Sequence, residues 1–172
     1  MKILIFGRDG QLGRELVKLY PLAQAVGRAD CDLLDEFTLN NLLEQFAPDL
    51  IINAAAYTAV DKAESEPELA FAINAHAPKI MAHYIANISH GIFVHYSTDY
   101  VFADTKEAAY LETDITGPVD QLCVYGQSKL AGEVAIQKAF AKAKGSHYYI
   151  LRTPWVYGDG ANFIKTMLRL AS

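Results

Sequence analysis

Short apolar runs alternate along the chain with segments whose apolar residues recur every three or four positions. The runs at 2–6, 23–26, 49–56, 91–96 and 147–153 are rich in β-branched and aromatic residues. Such continuous apolar runs are typical of strands that are buried on both faces of a parallel sheet. Because helical segments separate the runs, the pattern predicts an α/β fold with a doubly wound parallel sheet and helices on both faces.

Helical spacing predicts four helices between the strands, at 11–20, 35–46, about 65–87 and 122–143. The third begins with a Ser in a capping position and a Pro in its first turn, and we expect Pro78 to bend it. Sheets of this Rossmann-like type bind ligands at the carboxyl ends of the strands, where the strand order reverses. The chemistry is therefore expected in the loops that follow the strands.

A glycine-rich loop, "GRDGQLG", follows the first predicted strand and opens the first helix. Gly7, Gly10 and Gly13 provide for a tight turn and, having no Cβ, allow the backbone to approach a pyrophosphate. The helix N-terminus adds free N–H groups and a partial positive charge. Spacing and position together predict that this loop binds a dinucleotide.

The end of the second strand bears on the choice of dinucleotide. An acidic residue there would bind the ribose hydroxyls of NAD, but the sequence reads Gly27-Arg28. An Arg suits the additional phosphate of NADP, so Arg28 favours NADP without excluding NAD, and a solvated loop charge explains Arg28 about equally well. Asp32 and Leu33 follow in "CDLLD" and would face the adenine, although Asp32 also fits a helix cap.

The fourth strand ends in hydroxyl, carboxylate and phenol groups, in "HYSTDYVF". Its Ser97 and Thr98 are expected to point into the ligand crevice, where a hydroxyl would polarise a substrate carbonyl. Tyr125 and Lys129, in "YGQSK", are four residues apart and therefore share one face of a predicted helix. Carbonyl reduction by a nicotinamide needs a proton donor, and these residue types together predict such a site.

Lys129 is expected to make Tyr125 a better proton-transfer group. At about 4 Å and an effective dielectric of about 20, an ammonium favours the phenolate by up to about 4 kcal/mol, or about three pKa units. Desolvation of the phenolate opposes this effect. The prediction is a pKa of Tyr125 below its usual value of about 10, by less than the charge alone would give.

Composition narrows the class of protein. With 172 residues, 52% of them hydrophobic and 20% charged, the chain is long enough for one domain with a sizeable core. The net charge of -5 comes without a basic block, which argues against nucleic acid and membrane surfaces as partners. Cys31 and Cys123 are interpreted as buried free thiols in a reducing compartment. No signal-peptide core or membrane-spanning run is present, so the expected location is the cytoplasm.

These strings resemble those of extended short-chain dehydrogenase/reductases, and within that class the dTDP-4-dehydrorhamnose reductase family. The resemblance covers all 172 residues, through "FGRDGQLG", "NAAAYTAVDKAESEP", "HYSTDYVF", "YGQSKLAGE" and "LRTPWVYGDGANFIKTMLRLA". It implies reduction of the 4-keto group of dTDP-4-dehydro-L-rhamnose to give dTDP-L-rhamnose, a precursor of bacterial surface polysaccharides. The implied cofactor is NADPH or NADH, and the implied partner is the nucleotide-sugar substrate.

By position, the resemblance implies a role for each part of the site. Tyr125 would be the proton donor, Lys129 its cofactor-bound modulator and Thr98 the hydroxyl on the substrate carbonyl. Asp99 and Trp155 would contact the nucleotide sugar. The other implied cofactor contacts are Gly10, Gln11 and Leu12 at the pyrophosphate, Asp32 and Leu33 at the adenosine end, and Ala56, Tyr57, Thr58 and Tyr96 elsewhere.

The residue after Asp99 bears on a competing reaction. Related nucleotide-sugar dehydratases typically carry an Asp-Glu pair after the active Thr, whereas Asp99 is followed by Tyr100, which favours simple reduction. Two alternatives stay open: another nucleotide-sugar reductase or epimerase, and a non-catalytic nucleotide-binding regulatory subunit resembling that of methionine adenosyltransferase. The joint presence of Thr98, Tyr125 and Lys129 favours catalysis.

The resemblance also bears on the extent of the chain. Family members continue beyond "FIKTMLRLAS" with a smaller substrate-binding region. Residues 1–172 are therefore expected to form an NAD(P)-binding Rossmann-like domain, inactive alone if that C-terminal substrate domain is largely missing. A Mg²⁺ requirement and a homodimer are left open. Two histidine pairs are interpreted as core or surface residues rather than metal ligands, because neither has a third ligand in view: His76 with His83, and His90 with His95.

Overall fold

The computed structural model describes residues 1–158 and 163–171 of the chain. Its five strands form a parallel sheet, with β1 at Ile3–Phe6, β2 at Gln24–Val26, β3 at Leu50–Asn53, β4 at Ile92–Thr98 and β5 at His147–Thr153. The strand order is β2-β1-β3-β4-β5, so the order reverses beside β1. The Rossmann-like, doubly wound α/β prediction is confirmed.

Helices connect these strands, and one further helix follows β5. They are α1 (Gln11–Leu19), α2 (Glu36–Phe46), α3 (Val60–Ala63), α4 (Pro67–Phe71), α5 (Ala77–Ala86), α6 (Val124–Phe140) and α7 (Phe163–Leu170). Among the described residues, none of these helices has the length and apolar character needed to span a membrane.

Apolar side chains cover the sheet on both faces. On one face, Phe6 and Phe93 from the strands belong to a fully buried cluster with residues of α2, α5 and α6, among them Met81. On the other face, Leu16 of α1 packs near Ile5 of β1. Burial of each such side chain contributes about 1.5–3 kcal/mol to the stability of the fold. The strands are thereby held in place, and with them the loops at their ends. At the edge strand β5, large side chains such as Tyr149 and Leu151 stay exposed.

Two strand boundaries differ from the predicted ones for local reasons. β3 ends at Asn53 rather than at residue 56, because the Asn53 side-chain oxygen accepts the N–H of Ala55 and the chain turns away. β4 continues to Thr98 rather than ending at residue 96, because it pairs with β5 as far as Thr153. The extension of β4 carries Thr98 to the edge of the sheet where the other strands also end.

The third predicted helix is interrupted, and α3 before it was missed. Between α4 and α5 lies a π-helical turn, Ala72–His76, directly before the expected bend at Pro78. Pro78 has no N–H for the carbonyl of Asn74, which favours the wider turn there. The predicted Ser cap is wrong, because the Ser65 hydroxyl donates to the Lys62 carbonyl instead of capping α4.

Candidate active site

A cavity of about 870 Å³ opens at the carboxyl ends of the strands, where their order reverses. Its volume is in the range of small-molecule and cofactor sites. Most of the predicted site residues line it, from Gly7, Gly10, Gln11, Leu12, Arg28, Asp32 and Leu33 to Ala56, Tyr57, Thr58, Tyr96, Thr98, Tyr125, Lys129 and Trp155. The structure therefore brings together groups that the sequence places on several separate loops.

The glycines of the loop have different structural roles. Gly7 adopts φ +88°, and a Cβ on it would lie 2.7 Å from the backbone of Ala54 and Ala55. A Cβ on Gly13 would overlap the carbonyl oxygen of Gly7. Gly13 does not line the cavity and allows the close packing of α1 on the turn, and its role as a cofactor contact stays a prediction.

The loop fits a phosphate-bearing cofactor. Gly10 is the N-cap of α1 and no side chain caps the helix, so the first-turn N–H groups have no capping partner from a side chain. The side-chain nitrogen of Gln11 is buried beside them and has no hydrogen-bond partner within the described residues. A buried donor without an acceptor is costly, and a pyrophosphate oxygen would satisfy it.

Replacing Gly13 by Ala is expected to lower the free energy of unfolding by more than about 2 kcal/mol, because the new methyl group overlaps backbone that cannot move freely. Replacing Gly10 by Ala is the matched control. Its Cβ would lie 3.2 Å from the Gly7 carbonyl oxygen, so we expect a loss below about 1 kcal/mol. Urea unfolding of both variants measures the difference, and equal stabilities would contradict the packing role of Gly13.

The end of β2 places charged groups at the adenosine end of the cavity. Arg28 is exposed, and its guanidinium lies 3.3 Å from the Asp32 carboxylate. Asp32 does not cap α2, because Asp35 is the N-cap of that helix. Cys31 is buried beside them and lines the cavity, and burial raises the pKa of its thiol. It is therefore a poor nucleophile at neutral pH.

Helix α6 begins beside the cavity and is fixed there by its first turn. The sulfur of Cys123, which is only partly buried, accepts the N–H of Gly126 at 3.5 Å. Glu64, directly after α3, accepts the N–H of Val124 at 2.8 Å. A Cβ on Gly126 would overlap the carbonyl oxygen of Tyr100, so the glycine allows α6 to approach the end of β4 closely. These contacts position Tyr125 in the first turn.

Tyr125 is buried, and its pKa is raised, not lowered as predicted. Desolvation by burial is the main cause, the nearby charge of Asp99 adds to it, and a hydrogen bond with the Thr98 side chain opposes it. Lys129 is not among the causes, and its side-chain nitrogen donates to the Tyr96 carbonyl at 2.6 Å. Tyr125 is therefore a protonated phenol across the neutral pH range.

The two strand-end hydroxyls have different partners. Thr98 donates to Asp99 at 3.1 Å, whereas Asp99 does not line the cavity and so is not placed as a direct sugar contact. Ser97 donates to the buried Glu133 at 2.5 Å. Glu133 also forms a two-pronged ion pair with Arg152. Of the two hydroxyls, only that of Thr98 is available to polarise a carbonyl.

The ring of Tyr100 stands edge-on to that of Tyr125, with centroids 5.7 Å apart and an interplanar angle of 76°. Both rings line the cavity. The position at which a dehydratase would carry its Glu is thus filled by an aromatic ring that packs on Tyr125. Such edge-to-face pairs stabilise the orientation of both rings by about 1 kcal/mol.

A buried amide holds the cofactor loop after β3. Asn74, in the π-helical turn, accepts the N–H of Tyr57 at 2.9 Å and donates to its carbonyl at 3.0 Å. The same amide donates to Ser128 of α6. A Cβ on Gly132 would overlap the Asn74 carbonyl, so the glycine permits this close approach. The network ties the loop of Tyr57 to the helix that carries Tyr125.

Sequence reasoning missed several residues that organise the site. Four are polar residues that the structure buries, and the fifth is the partly buried partner of one of them: Asn53, Asn74, His95 and Glu133, with Arg152. The signal was a polar letter within an otherwise apolar strand or helix, as in "IFVHYST". His95 is a core residue, whereas His76 is paired with Glu36 at the surface. Within residues 1–158 and 163–171, no group of three metal-ligating side chains is gathered.

A parallel sheet with a glycine loop beside its first strand, and a Tyr, a Lys and a Thr around one cavity, defines the extended short-chain dehydrogenase/reductase class. The whole chain, residues 1–172, matches the family described as the RmlD substrate binding domain, and the chain belongs to that family. The family prediction made from the sequence is confirmed.

Curated relatives carry the same name as the predicted family. A dTDP-4-dehydrorhamnose reductase of Burkholderia thailandensis is 46% identical over 175 residues, which cover 99% of this chain and 56% of the relative. One of Escherichia coli K12 is 46% identical over 179 residues, which cover 99% of this chain and 57% of the relative. The chain therefore spans little more than half the length of the curated relatives it matches.

Solved structures agree with the fold. A dTDP-4-dehydrorhamnose reductase of Clostridium acetobutylicum superimposes with a TM-score of 0.86 at 39% identity, covering 99% of this chain and 59% of that one. One of Bacillus anthracis, in complex with NADP, gives 0.85 at 34% identity, covering 98% and 59%. A Thermotoga maritima UDP-glucose 4-epimerase gives 0.79 at 18% identity, covering 97% and 61%, and shows the fold alone.

Proposed function

We propose that this chain carries the nucleotide site and the proton donor of a dTDP-4-dehydrorhamnose reductase. The enzyme would reduce the 4-keto group of dTDP-4-dehydro-L-rhamnose to give dTDP-L-rhamnose. The observation that carries the proposal is that Tyr125, Thr98 and Lys129 line the same cavity as the glycine loop. The names of the relatives support the substrate, and the NADP in the Bacillus anthracis structure supports the cofactor.

NADPH, or NADH in its place, would lie with its pyrophosphate at the first turn of α1. Gly10, Gln11 and Leu12 are the residues that would hold it, and Asp32 with Leu33 would contact the adenosine. When bound, the nicotinamide supplies the hydride for the carbonyl carbon. The chain's own groups must then supply the proton and stabilise the charge on the carbonyl oxygen.

Tyr125 would supply that proton. Its raised pKa keeps the phenol protonated at neutral pH, so it can donate to the carbonyl oxygen while negative charge develops there. Thr98 would donate a second hydrogen bond to the same oxygen, since its hydroxyl has one proton and the substrate would replace Asp99 as its acceptor. Asp99 would thus hold the Thr98 hydroxyl only until the substrate binds.

The sugar would enter over Trp155, which lies at the rim of the cavity and is 43% exposed. A smaller C-terminal domain would form the rest of the sugar site, in keeping with the length of the relatives beyond the matched region. The exposed apolar side chains of β5, such as Tyr149, are a surface that such a domain would cover. The homodimer and the Mg²⁺ requirement stay open, and the cytoplasmic location stays a prediction.

Replacing Arg28 by Ala is expected to weaken NADPH binding about fivefold and to leave NADH binding unchanged. An exposed cation contributes about 1 kcal/mol to a phosphate contact. The Asp32 carboxylate already neutralises part of the charge of Arg28. The measurement is a fluorescence titration of both cofactors, with the exposed Lys142 replaced by Ala as control. An equal loss for NADPH and NADH would contradict a role for Arg28 in the choice of cofactor.

An assay of the full-length protein with NADPH and dTDP-4-dehydrorhamnose tests the proposed function. The expected result is NADPH oxidation that depends on the sugar and forms dTDP-rhamnose in equal amount. NADPH binding without oxidation would instead favour the regulatory-subunit alternative. Interconversion of two nucleotide sugars without net NADPH consumption would favour an epimerase.

A further inference from the structure

Three buried polar side chains form a row that leads to the cavity wall, from Asn53 at the end of β3 through His95 within β4 to Lys129 of α6. Asn53 and His95 have no exposed surface, and Lys129 is 1% exposed. The Asn53 amide nitrogen lies 3.1 Å from Nδ1 of His95, and Nε2 of the same ring lies 3.4 Å from Nζ of Lys129. Because these side chains are buried, each of their N–H groups needs an acceptor among them or on the neighbouring backbone.

The orientation of Asn53 determines which nitrogen of His95 carries the proton. The side-chain oxygen of Asn53 accepts the N–H of Ala55 at 3.1 Å, so its amide N–H₂ faces Nδ1. Nδ1 must therefore accept, and in a neutral imidazole the proton is then on Nε2. If the Asn53 amide were turned over, its N–H₂ would face the N–H of Ala55, and two hydrogen-bond donors would meet there.

The proton on Nε2 points toward Lys129. An ammonium group has three donors and no acceptor, so it cannot pair with an N–H. A neutral amine has a lone pair for Nε2–H and still donates to the Tyr96 carbonyl, its partner at 2.6 Å. We propose that His95 is a positioning residue that favours the neutral amine of Lys129 in the cofactor-free protein at mildly alkaline pH, and that Lys129 takes up a proton there when the anionic dinucleotide enters the cavity.

The other groups around Lys129 are consistent with this state. Burial lowers the pKa of Lys129 to about 8, although Glu133, one turn along α6, raises it. The charge of Glu133 is largely balanced by Arg152 of β5. On β4, the pKa of His95 is well below its usual value, so the ring is neutral. On its own helix, Tyr125 is an uncharged phenol. Among the described residues, the neighbouring anion that favours the ammonium form of Lys129 is Glu133, and it is paired with Arg152.

The step is a simple proton balance: the amine gains one proton from solvent and no other bond is made or broken. It rests on the proposed function, since the dinucleotide brings the negative charge that favours the ammonium. An uptake that depends on pH distinguishes this role of His95 from mere packing, because a packing residue would not change the number of protons bound.

The first experiment determines the tautomer of His95 by long-range ¹H–¹⁵N correlation in the cofactor-free full-length protein, between pH 6 and pH 9. The expected result is a neutral ring with its proton on Nε2 throughout. A proton on Nδ1, or an imidazolium at neutral pH, would overturn the proposal whatever the protein does with NADPH.

The second experiment titrates NADPH calorimetrically in buffers with different ionisation enthalpies. About three quarters of a proton should be taken up per NADPH at pH 8.5 and almost none at pH 6.5. The exposed His83, replaced by Gln, is the control and should behave as wild type. His95→Gln presents an amide oxygen that accepts from an ammonium, so the uptake at pH 8.5 should fall below about one quarter of a proton.

The outcomes separate the two proposals. NADPH binding to the wild type at pH 8.5 without proton uptake would overturn the role of His95 and leave the reductase proposal standing. Uptake that persists in His95→Gln would also overturn it. A protein that binds no NADPH at any pH would contradict the proposed function, and the tautomer measurement then decides the state of His95 by itself.

Discussion

Replacing Tyr125 by Phe is expected to lower kcat for dTDP-4-dehydrorhamnose reduction by about 10³-fold, within the range of 10²–10⁴ typical of general acids. The substitution removes the proton donor and the hydrogen bond with Thr98, and it leaves the ring in place against Tyr100. The affinity for NADPH should change by less than about twofold, because the glycine loop that holds the pyrophosphate is untouched. Initial rates of NADPH oxidation and a cofactor titration measure the two effects.

The matched control is Tyr148→Phe, which removes the same hydroxyl from an exposed tyrosine of β5 whose ring packs against Phe140. It should retain the wild-type rate. In urea unfolding, the free energy of unfolding of both variants should agree with that of the wild type within about 1 kcal/mol. A Tyr125→Phe enzyme that keeps more than about a tenth of the wild-type kcat would show that the proton comes from another group.

The parts of the site that the sequence predicts are those that depend on local structure. The glycine loop follows β1 directly, and the hydroxyls follow β4, so the position of each is determined by a strand and the next turn. A parallel sheet brings such strand ends to one edge, which is why residues as distant as Gly10 and Tyr125 could be assigned to one cavity. The order of the strands was not needed for this.

The directions of the side chains depend on non-local partners and were less predictable. Lys129 is placed four residues after Tyr125, as a helix requires, but its amine turns to the Tyr96 carbonyl. Pairing of β3 with β4 ends at Asn53 opposite His95, one residue before Tyr96, and no local pattern indicates that the Tyr96 carbonyl accepts from Lys129. Asp99 likewise accepts from Thr98 instead of facing the cavity. Sequence spacing gives proximity, whereas the electrostatic consequence follows from the partner that each group finds.

Replacing Lys129 by Met is expected to lower kcat by at least about 10²-fold while leaving the folded protein as stable as the wild type, or more so, at pH 7. Burial lowers the pKa of Lys129 from 10.5 to about 8, which corresponds to a cost of about 3 kcal/mol in folding free energy at neutral pH. The lost hydrogen bond to the Tyr96 carbonyl removes only about 1–2 kcal/mol. The buried Lys129 therefore lowers the free energy of unfolding of the protein at neutral pH.

The pH dependence distinguishes this cost from a packing effect. Between about pH 8 and pH 10.5 the unfolded chain binds a proton at position 129 that the folded protein does not, so this group makes the wild type more stable as pH rises. The Met variant lacks that gain. Its stability relative to the wild type should therefore fall by up to about 3 kcal/mol between pH 7 and pH 10.

Urea unfolding of the two proteins at several pH values measures this difference, with Met in place of the exposed Lys138 of the same helix as the control. The control should show no such change, because the Lys138 side chain is exposed and not buried like that of Lys129. If Lys129→Met were less stable than the wild type by more than about 2 kcal/mol at pH 7, or if its relative stability did not vary with pH, Lys129 would be a structural and not a strained catalytic group.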